Sequence, residues 1–206
     1  MQVLARRRGM TLIELLVVLT IVGILTLILF PVSTRHRYPR RESCQANLKQ
    51  IGLAFMQYVQ DYNEQFPRVA LNPVSSSVAP FDKPFGWVDG LCPYLKNEQI
   101  FQCPSETQPQ SQDATRNGFT DYWMNTNLAG KKLERLEMPA MTFLGGEGND
   151  GRDTTARYNR NAIPKLWITR YDSPARRHID TGNYLYADGH VKALSPQLPG
   201  ATFALK

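Results

Sequence analysis

Residues 6–18 read Arg6-Arg7-Arg8-Gly9-Met10-Thr11-Leu12-Ile13-Glu14-Leu15-Leu16-Val17-Val18, and the apolar run that opens at Met10 continues to Phe30 with Glu14 as its one charge. A basic head, a small residue and about twenty apolar residues make the pattern of a membrane-inserting segment. A carboxylate inside a bilayer helix costs roughly 2.5–3.5 kcal/mol even on lenient insertion scales. Glu14 has no charged neighbour in its own segment, so it asks for a cation outside the chain. An ordinary secretory signal fits poorly, because its apolar core is about 7–15 residues long and ends in a small-x-small cleavage site. Here the chain continues Pro31-Val32-Ser33-Thr34-Arg35. Pro31 lacks a backbone donor and is expected to kink the rod. Arginines flank both ends (6–8 on one side; 35, 37, 40 and 41 on the other), so a count of positive residues does not set orientation.

Gly9 followed by Met10-Thr11-Leu12-Ile13-Glu14-Leu15-Leu16-Val17-Val18 resembles the N-terminal signature of type IV prepilins and type II secretion pseudopilins. The resemblance implies cleavage between Gly9 and Met10 by a prepilin peptidase, and N-methylation of the new terminus at Met10. It also implies that Glu14, then the fifth residue, pairs with the terminal amine of a neighbouring subunit. Gly23 and Pro31 fall where family members commonly carry Gly and Pro, whereas Met10 stands where Phe is commoner.

Working outward, 206 residues suit one globular domain behind an N-terminal segment. Loss of residues 1–9 leaves 197 and lowers the formal charge from +6 to +3. The basic residues from Arg35 to Arg41 fit anionic lipid headgroups beside the span better than nucleic acid. Of three cysteines, Cys92 and Cys103 enclose a ten-residue loop, and a disulfide or two buried thiols account for them equally well. Cys44 falls on a helical pattern and reads as a small buried hydrophobe.

That second helix restarts around Arg41 or Glu42. Leu48, Ile51, Phe55, Tyr58 and Tyr62 recur at spacings of three and four, one amphipathic face, and the helix ends before Phe66-Pro67. Beyond it the chain is loop-rich, with a short helix expected among Trp87 to Phe101. Strand candidates are Thr142–Leu144, Leu166–Tyr171, Tyr184–Tyr186 and Val191–Leu194. The last two flank Asp188-Gly189, a favoured type I′ turn pair.

A second resemblance covers this head. Cys44-Gln45-Ala46-Asn47-Leu48-Lys49-Gln50-Ile51-Gly52-Leu53, Asp61-Tyr62-Asn63, Pro93-Tyr94-Leu95-Lys96-Asn97, Cys103-Pro104-Ser105 and the stretch from His178 to Gly189 resemble one large prepilin-like family. That family is known by a C-terminal His, nine residues, then Asp-Gly, here His178 and Asp188-Gly189. It brings no defined biochemical activity.

His178, Asp180, Asp188 and His190 are metal-ligand types, but their spacing carries little, and structural roles for His178, Asp188 and Gly189 in the terminal hairpin explain them. The loop Glu147-Gly148-Asn149-Asp150-Gly151-Arg152-Asp153 has the oxygen-rich look of a calcium site, with Glu147, Asn149, Asp150 and Asp153 as the ligands. It lacks the EF-hand spacing, and an exposed polar turn explains it as well. Neither a nucleophile elbow nor a phosphate-cradling loop occurs, so an enzyme has nothing specific to stand on. No cofactor is expected, calcium being the one ion the pattern suggests.

The expectation is therefore an α+β, pilin-like chain. Residues 1–9 form a leader, 10–31 a transmembrane and assembly helix, and 32–66 a juxtamembrane segment with the second half of a long bent helix. Residues 67–206 form an extracytoplasmic head on a small antiparallel sheet. By resemblance it is a non-enzymatic subunit of a pseudopilus or pilus-like filament, the secretion pseudopilin favoured. Its partners are then copies of itself, other pilins, the peptidase–methyltransferase, assembly-platform proteins and the cytoplasmic membrane. The filament itself stands in the periplasm or at the cell surface. The alternative is a membrane-anchored binding module that does not polymerise.

Overall fold

The computed structural model describes residues 11–33, 39–70, 85–197 and 201–204, with the side chains of residues 28–33 and 39–40 left out. The chain divides into two units, Met1–Pro39 and Arg40–Lys206.

The first unit holds helix α1, Leu12–Ser33. Leu12, Ile13, Leu15, Leu16 and their apolar successors through Leu27 are all exposed, and they surround the helix on every side. A helix apolar all round belongs in a protein interior or in lipid. Its two threonines are satisfied internally, Thr20 Oγ1 donating to Val17 O at 2.7 Å and Thr26 Oγ1 to Val22 O at 2.9 Å. Among the described residues no helix is long and apolar enough to cross a membrane. The side chains described for α1 stop at Leu27, about 24 Å of helix at about 1.5 Å per residue, against a hydrocarbon core of about 30 Å. Helix continues past Pro31 to Ser33, so the proline does not end it. The kink expected at Pro31 rests on a side chain outside those described.

Helix α2, Pro39–Asp61, belongs to the second unit from Arg40 onward. It starts at Pro39 rather than Arg41, which is sterically natural because a proline at the first helical position forfeits no intrahelical bond. Residues 34–38, where one long bent helix would join α1 to α2, lie outside the described residues. Asn63 and Glu64 adopt left-handed backbone at φ +54° and +60°, and Glu64 N–H donates to Val59 O at 2.8 Å, closing the helix before Phe66-Pro67. Of the expected face, Leu48, Ile51, Phe55 and Tyr58 are buried. Tyr62 is 53% exposed and stacks on Tyr58 instead.

Helix α3, Trp87–Leu91, leads through short 3-10 turns to a five-stranded sheet. Its strands are β1 Tyr122–Asn125, β2 Phe143–Glu147, β3 Asn159–Arg160, β4 Gly182–Tyr186 and β5 Val191–Leu194, in the order β3-β1-β2-β4-β5. All pairings are antiparallel except β1 with the two-residue β3, so the sheet is mixed rather than purely antiparallel. Leu166–Tyr171, expected as a strand, is instead mostly the one-turn helix α4, Lys165–Thr169, opened by Pro164.

Both sheet faces are covered. Tyr122, Met124, Leu144 and Leu185 join Leu48, Ile51, Phe55, Trp87 and Phe101 in the core under α2. Trp123, Phe143, Tyr184 and Tyr186 meet Tyr158 and Trp167 on the other side. Helix α2 comes so near β4 that a Cβ on Gly52 would lie 2.7 Å from Leu185 Cδ1 and 3.1 Å from Gly189 O. On the opposite face a Cβ on Gly146 would lie 2.5 Å from the Trp123 ring.

The disulfide joins Cys44 to Cys103, with Cα atoms 5.3 Å apart. This corrects the pairing of Cys92 with Cys103, and it also corrects the reading of Cys44 as a plain hydrophobe. Cys92 sits in the 3-10 turn after α3 and directs its sulfur back to Val88 O, while Cys103 faces the first turns of α2. Burial pushes the Cys92 thiol up to about 12, which leaves it unreactive at neutral pH. The bond spans 59 residues, for which loop-closure entropy predicts about 4 kcal/mol. Under non-reducing conditions Cys44→Ser is expected to cost about 2–4 kcal/mol and Cys92→Ser less than about 1 kcal/mol. Urea denaturation of the three proteins checks this, and equal losses from both variants would contradict the assignment.

Candidate functional site

Two places bring polar chemistry together. The first is the tip of α1. Gly9 and Met10, where the resemblance implies cleavage and methylation, lie outside the described residues. Just after them, Glu14 accepts hydrogen bonds from Thr11 N–H at 2.8 Å and Thr11 Oγ1 at 3.0 Å, and Glu14 N–H donates to Thr11 Oγ1 at 3.3 Å. Thr11-Leu12-Ile13-Glu14 is thus a reciprocal capping box. The motif Ser/Thr-x-x-Glu was visible in the sequence, where Glu14 was read only as lacking a charged neighbour in its segment. It has local donors, although no cation among the described residues of α1 meets it.

The second place lies under the sheet at one end of α2. Glu147, the last residue of β2, turns its carboxylate inward. Its Oε1 accepts from Asn183 N–H at 2.7 Å and its Oε2 from Asn183 Nδ2 at 3.0 Å. His178 Nε2 lies 3.2 Å from Glu147 Oε2 and 4.0 Å from Cys103 Sγ. The side chains of Glu147 and His178 are 0% and 4% exposed. Beside them Asp121 accepts from Cys103 N–H at 2.6 Å and from the Asn149 amide, and Arg177 pairs with Glu106.

His178 is held by a two-residue turn. Its N–H and C=O bond Thr181 at 3.0 and 3.2 Å, and the central residues Ile179 and Asp180 have φ +51° and +62°. Positive φ at both is the type I′ geometry. Ile179 is β-branched and 71% exposed, an uncommon occupant of left-handed backbone that marks stored strain. At Asp188-Gly189, where type I′ was expected, only Gly189 is left-handed, at φ +90°. Gly189 N–H bonds Tyr186 O, and Tyr186 N–H bonds His190 O, both at 2.9 Å. That is a three-residue hairpin loop closed by a glycine bulge.

The spacing from His178 to Asp188-Gly189 therefore has a structural cause. It is one tight turn, the five residues of β4, and one residue into the next loop. His178 does not lock that hairpin as expected, because its ring faces Glu147 and Cys103. Nor does it gather with the other candidates, since Asp180 pairs with Arg176 and His190 with Asp188. The presumed calcium loop also disperses. Glu147 faces His178, Asn149 faces Asp121, Asp150 pairs with Arg160, and Asp153 takes a left-handed backbone at φ +52°. Among the described residues one group of His, Cys, Asp and Glu could hold an ion, and it is Cys44, Cys103, Glu147 and His178.

Burial pushes the Asp121 carboxyl up to about 6 from 3.8, although the Cys103 N–H bond and the charge of Arg177 pull the other way. The folded chain thus holds this proton more tightly than the unfolded chain. Its contribution is fully present below about pH 4 and is lost as pH rises through about 6, a change of about 3 kcal/mol. Asp121→Asn is expected to flatten that dependence relative to wild type. Denaturation midpoints of both proteins from pH 4 to 7 test it, and parallel curves would refute it.

A family profile described as "Protein of unknown function (DUF1559)" matches residues 39–176, more than half of the chain. A second, described as "Prokaryotic N-terminal methylation motif", matches residues 4–30 and so includes Gly9, Met10 and the capping box. No curated protein and no solved structure matches the chain. His178 and the Asp188-Gly189 turn lie just beyond the first matched span. An N-terminal methylation motif ahead of this head makes the chain a prepilin-like protein that belongs to the DUF1559 family.

Proposed function

We propose that this chain is a structural subunit, cut between Gly9 and Met10, methylated at Met10, and assembled through α1 into a type II secretion pseudopilus or a type IV pilus-like filament. The secretion pseudopilus is favoured. The carrying observation is an apolar helix, most of it within the matched methylation motif, with one carboxylate at its tip. In lipid the rod is satisfied by acyl chains. In a filament neighbouring rods replace them, so transfer between the two costs little hydrophobic free energy. No catalysis is invoked, and the head stands outside the cytoplasm on its anchor.

Within that reading the capping box gives Glu14 two functions. In the single subunit it accepts the Thr11 donors, which keeps the carboxylate hydrogen-bonded before assembly. In the filament its charge meets the terminal amine of a neighbour, and a mispaired ion in a low-dielectric bundle is strongly penalised. The two functions separate by substitution. Glu14→Gln keeps a side chain able to complete the capping box but removes the charge, whereas Glu14→Ala removes both. Both variants are expected to insert and be cleaved. Both should lose filament assembly by more than about a hundredfold, from the roughly 3–5 kcal/mol of an orphaned buried partner. Sheared-filament yield with N-terminal mass analysis measures this. Normal filaments from Glu14→Gln would assign Glu14 to capping alone.

A further inference from the structure

We propose that Cys44, Cys103, Glu147 and His178 form a site for one zinc-class divalent cation, open to it when the two cysteines are thiols. Two thiolates, an imidazole and a carboxylate are a borderline-soft donor set that suits zinc or cobalt and not calcium or magnesium. The four donor atoms lie within 4.8 Å of one another and all four residues are buried. A tetrahedral zinc centre has ligand-to-ligand edges of about 3.3 Å for nitrogen and oxygen and about 3.6 Å for sulfur and nitrogen. Here His178 Nε2 stands 3.2 Å from Glu147 Oε2 and 4.0 Å from Cys103 Sγ. The sulfurs must part from their disulfide, and Cys103 Sγ must close a few tenths of an ångström on His178 Nε2.

The surroundings are those of a ligand set held in place. Asn183 fixes both oxygens of Glu147, the Cys103 backbone is fixed by Asp121, and the strained turn at Ile179 fixes the backbone of His178. The four ligands come from α2, the segment after α3, the end of β2 and the turn before β4, so the ion would tie the helix to both central strands. Outer contacts of this kind are what orient metal ligands.

The disulfide and the ion are alternative closures of one site, because each uses the same sulfur electrons. The chain is synthesised with thiols, so loading needs no reductant. The cation displaces the two thiol protons, and the His178 proton resides on Nδ1 while Nε2 binds. Disulfide formation is the later two-electron step. One thiolate attacks an external disulfide and expels a thiolate, the second resolves the mixed disulfide and expels another, and both expelled thiolates take protons from water as the cation is released.

Cobalt(II) chloride is the probe, titrated into the full-length protein in detergent after reduction by a trialkylphosphine and anaerobic desalting. One equivalent is expected to bind with a thiolate-to-cobalt charge-transfer band that zinc abolishes, while the oxidised protein gives none. His178→Gln and Glu147→Gln should each weaken binding by more than about tenfold, a loss seen even for outer-shell partners. Cys92→Ser should leave it unchanged. Far-UV circular dichroism confirms that each variant is folded, so the decision does not depend on a cysteine variant surviving. A folded reduced protein without the band overturns the proposal, as does a band that persists undiminished in the His178→Gln, Glu147→Gln double variant. Loss of fold on reduction, with or without cobalt, overturns it too.

Discussion

The constraint that sets helix on sheet in the head is the meeting of α2 with β4 at Gly52. With no side chain there, Leu185 and the carbonyl of Gly189 approach the helix backbone to distances that a Cβ would forbid. That approach lets Leu48, Ile51 and Phe55 reach Trp87, Phe101 and Tyr122 in one core. It also sets the height of β4 under the helix, and with it the place of the turn that carries His178 at the strand's start. Gly146 does the equivalent on the far face, where the Trp123 ring occupies the space of an absent side chain. Sheet and helix are thus spaced by a missing Cβ at Gly52, and Gly146 makes room for an aromatic ring on the opposite face.

Much of this was legible before any coordinates. The α2 face follows a 3-4 period over a long window, where sequence patterns are most informative, and β5 and the end of β4 stand out because they flank a turn pair. β1 escaped for a physical reason. Tyr122-Trp123-Met124-Asn125 is buried on both faces, so it has no alternation to reveal it. Leu166–Tyr171 failed in the opposite direction. Its apolar residues resemble a strand, yet Pro164 opens a helical turn there. A disulfide was weighed for Cys92 and Cys103 alone, equally with two buried thiols, because those two lie close in sequence, whereas the fold brings Cys103 to a cysteine 59 positions away. Pairings of that kind are set by tertiary topology, which local pattern does not encode.

The polar layer beneath the sheet was the least legible part. Glu147 was read with its loop and His178 with its hairpin. Each assignment followed chain neighbours, and each side chain turned the other way to meet across the sheet. Burying a carboxylate with an imidazole, and leaving Asn183 Oδ1 without a partner among the described residues, costs stability that an apolar core would not. The strained Ile179 adds to that cost. A head held only for shape would gain from replacing these groups with leucine or valine. Their joint placement beside the cysteine pair is what points to chemistry at this spot.

At the opposite end of the chain the same economy of polar groups governs α1. Its threonines bond the backbone one turn earlier, and its glutamate bonds the threonine three residues before it. Every described polar side chain on the rod is therefore met locally, which is the condition for a helix to exist in a medium without water. A capped carboxylate is a reserve acceptor as well as a satisfied one. Exchanging neutral donors for a cation strengthens its hydrogen bonds without creating an orphan elsewhere, since Thr11 can turn to other acceptors at a helix end. A lone acid can then wait in an apolar segment at tolerable cost and still discriminate strongly once a cationic partner arrives. The arrangement that would let a single subunit persist is the one that would make the pairing proposed for Glu14 selective.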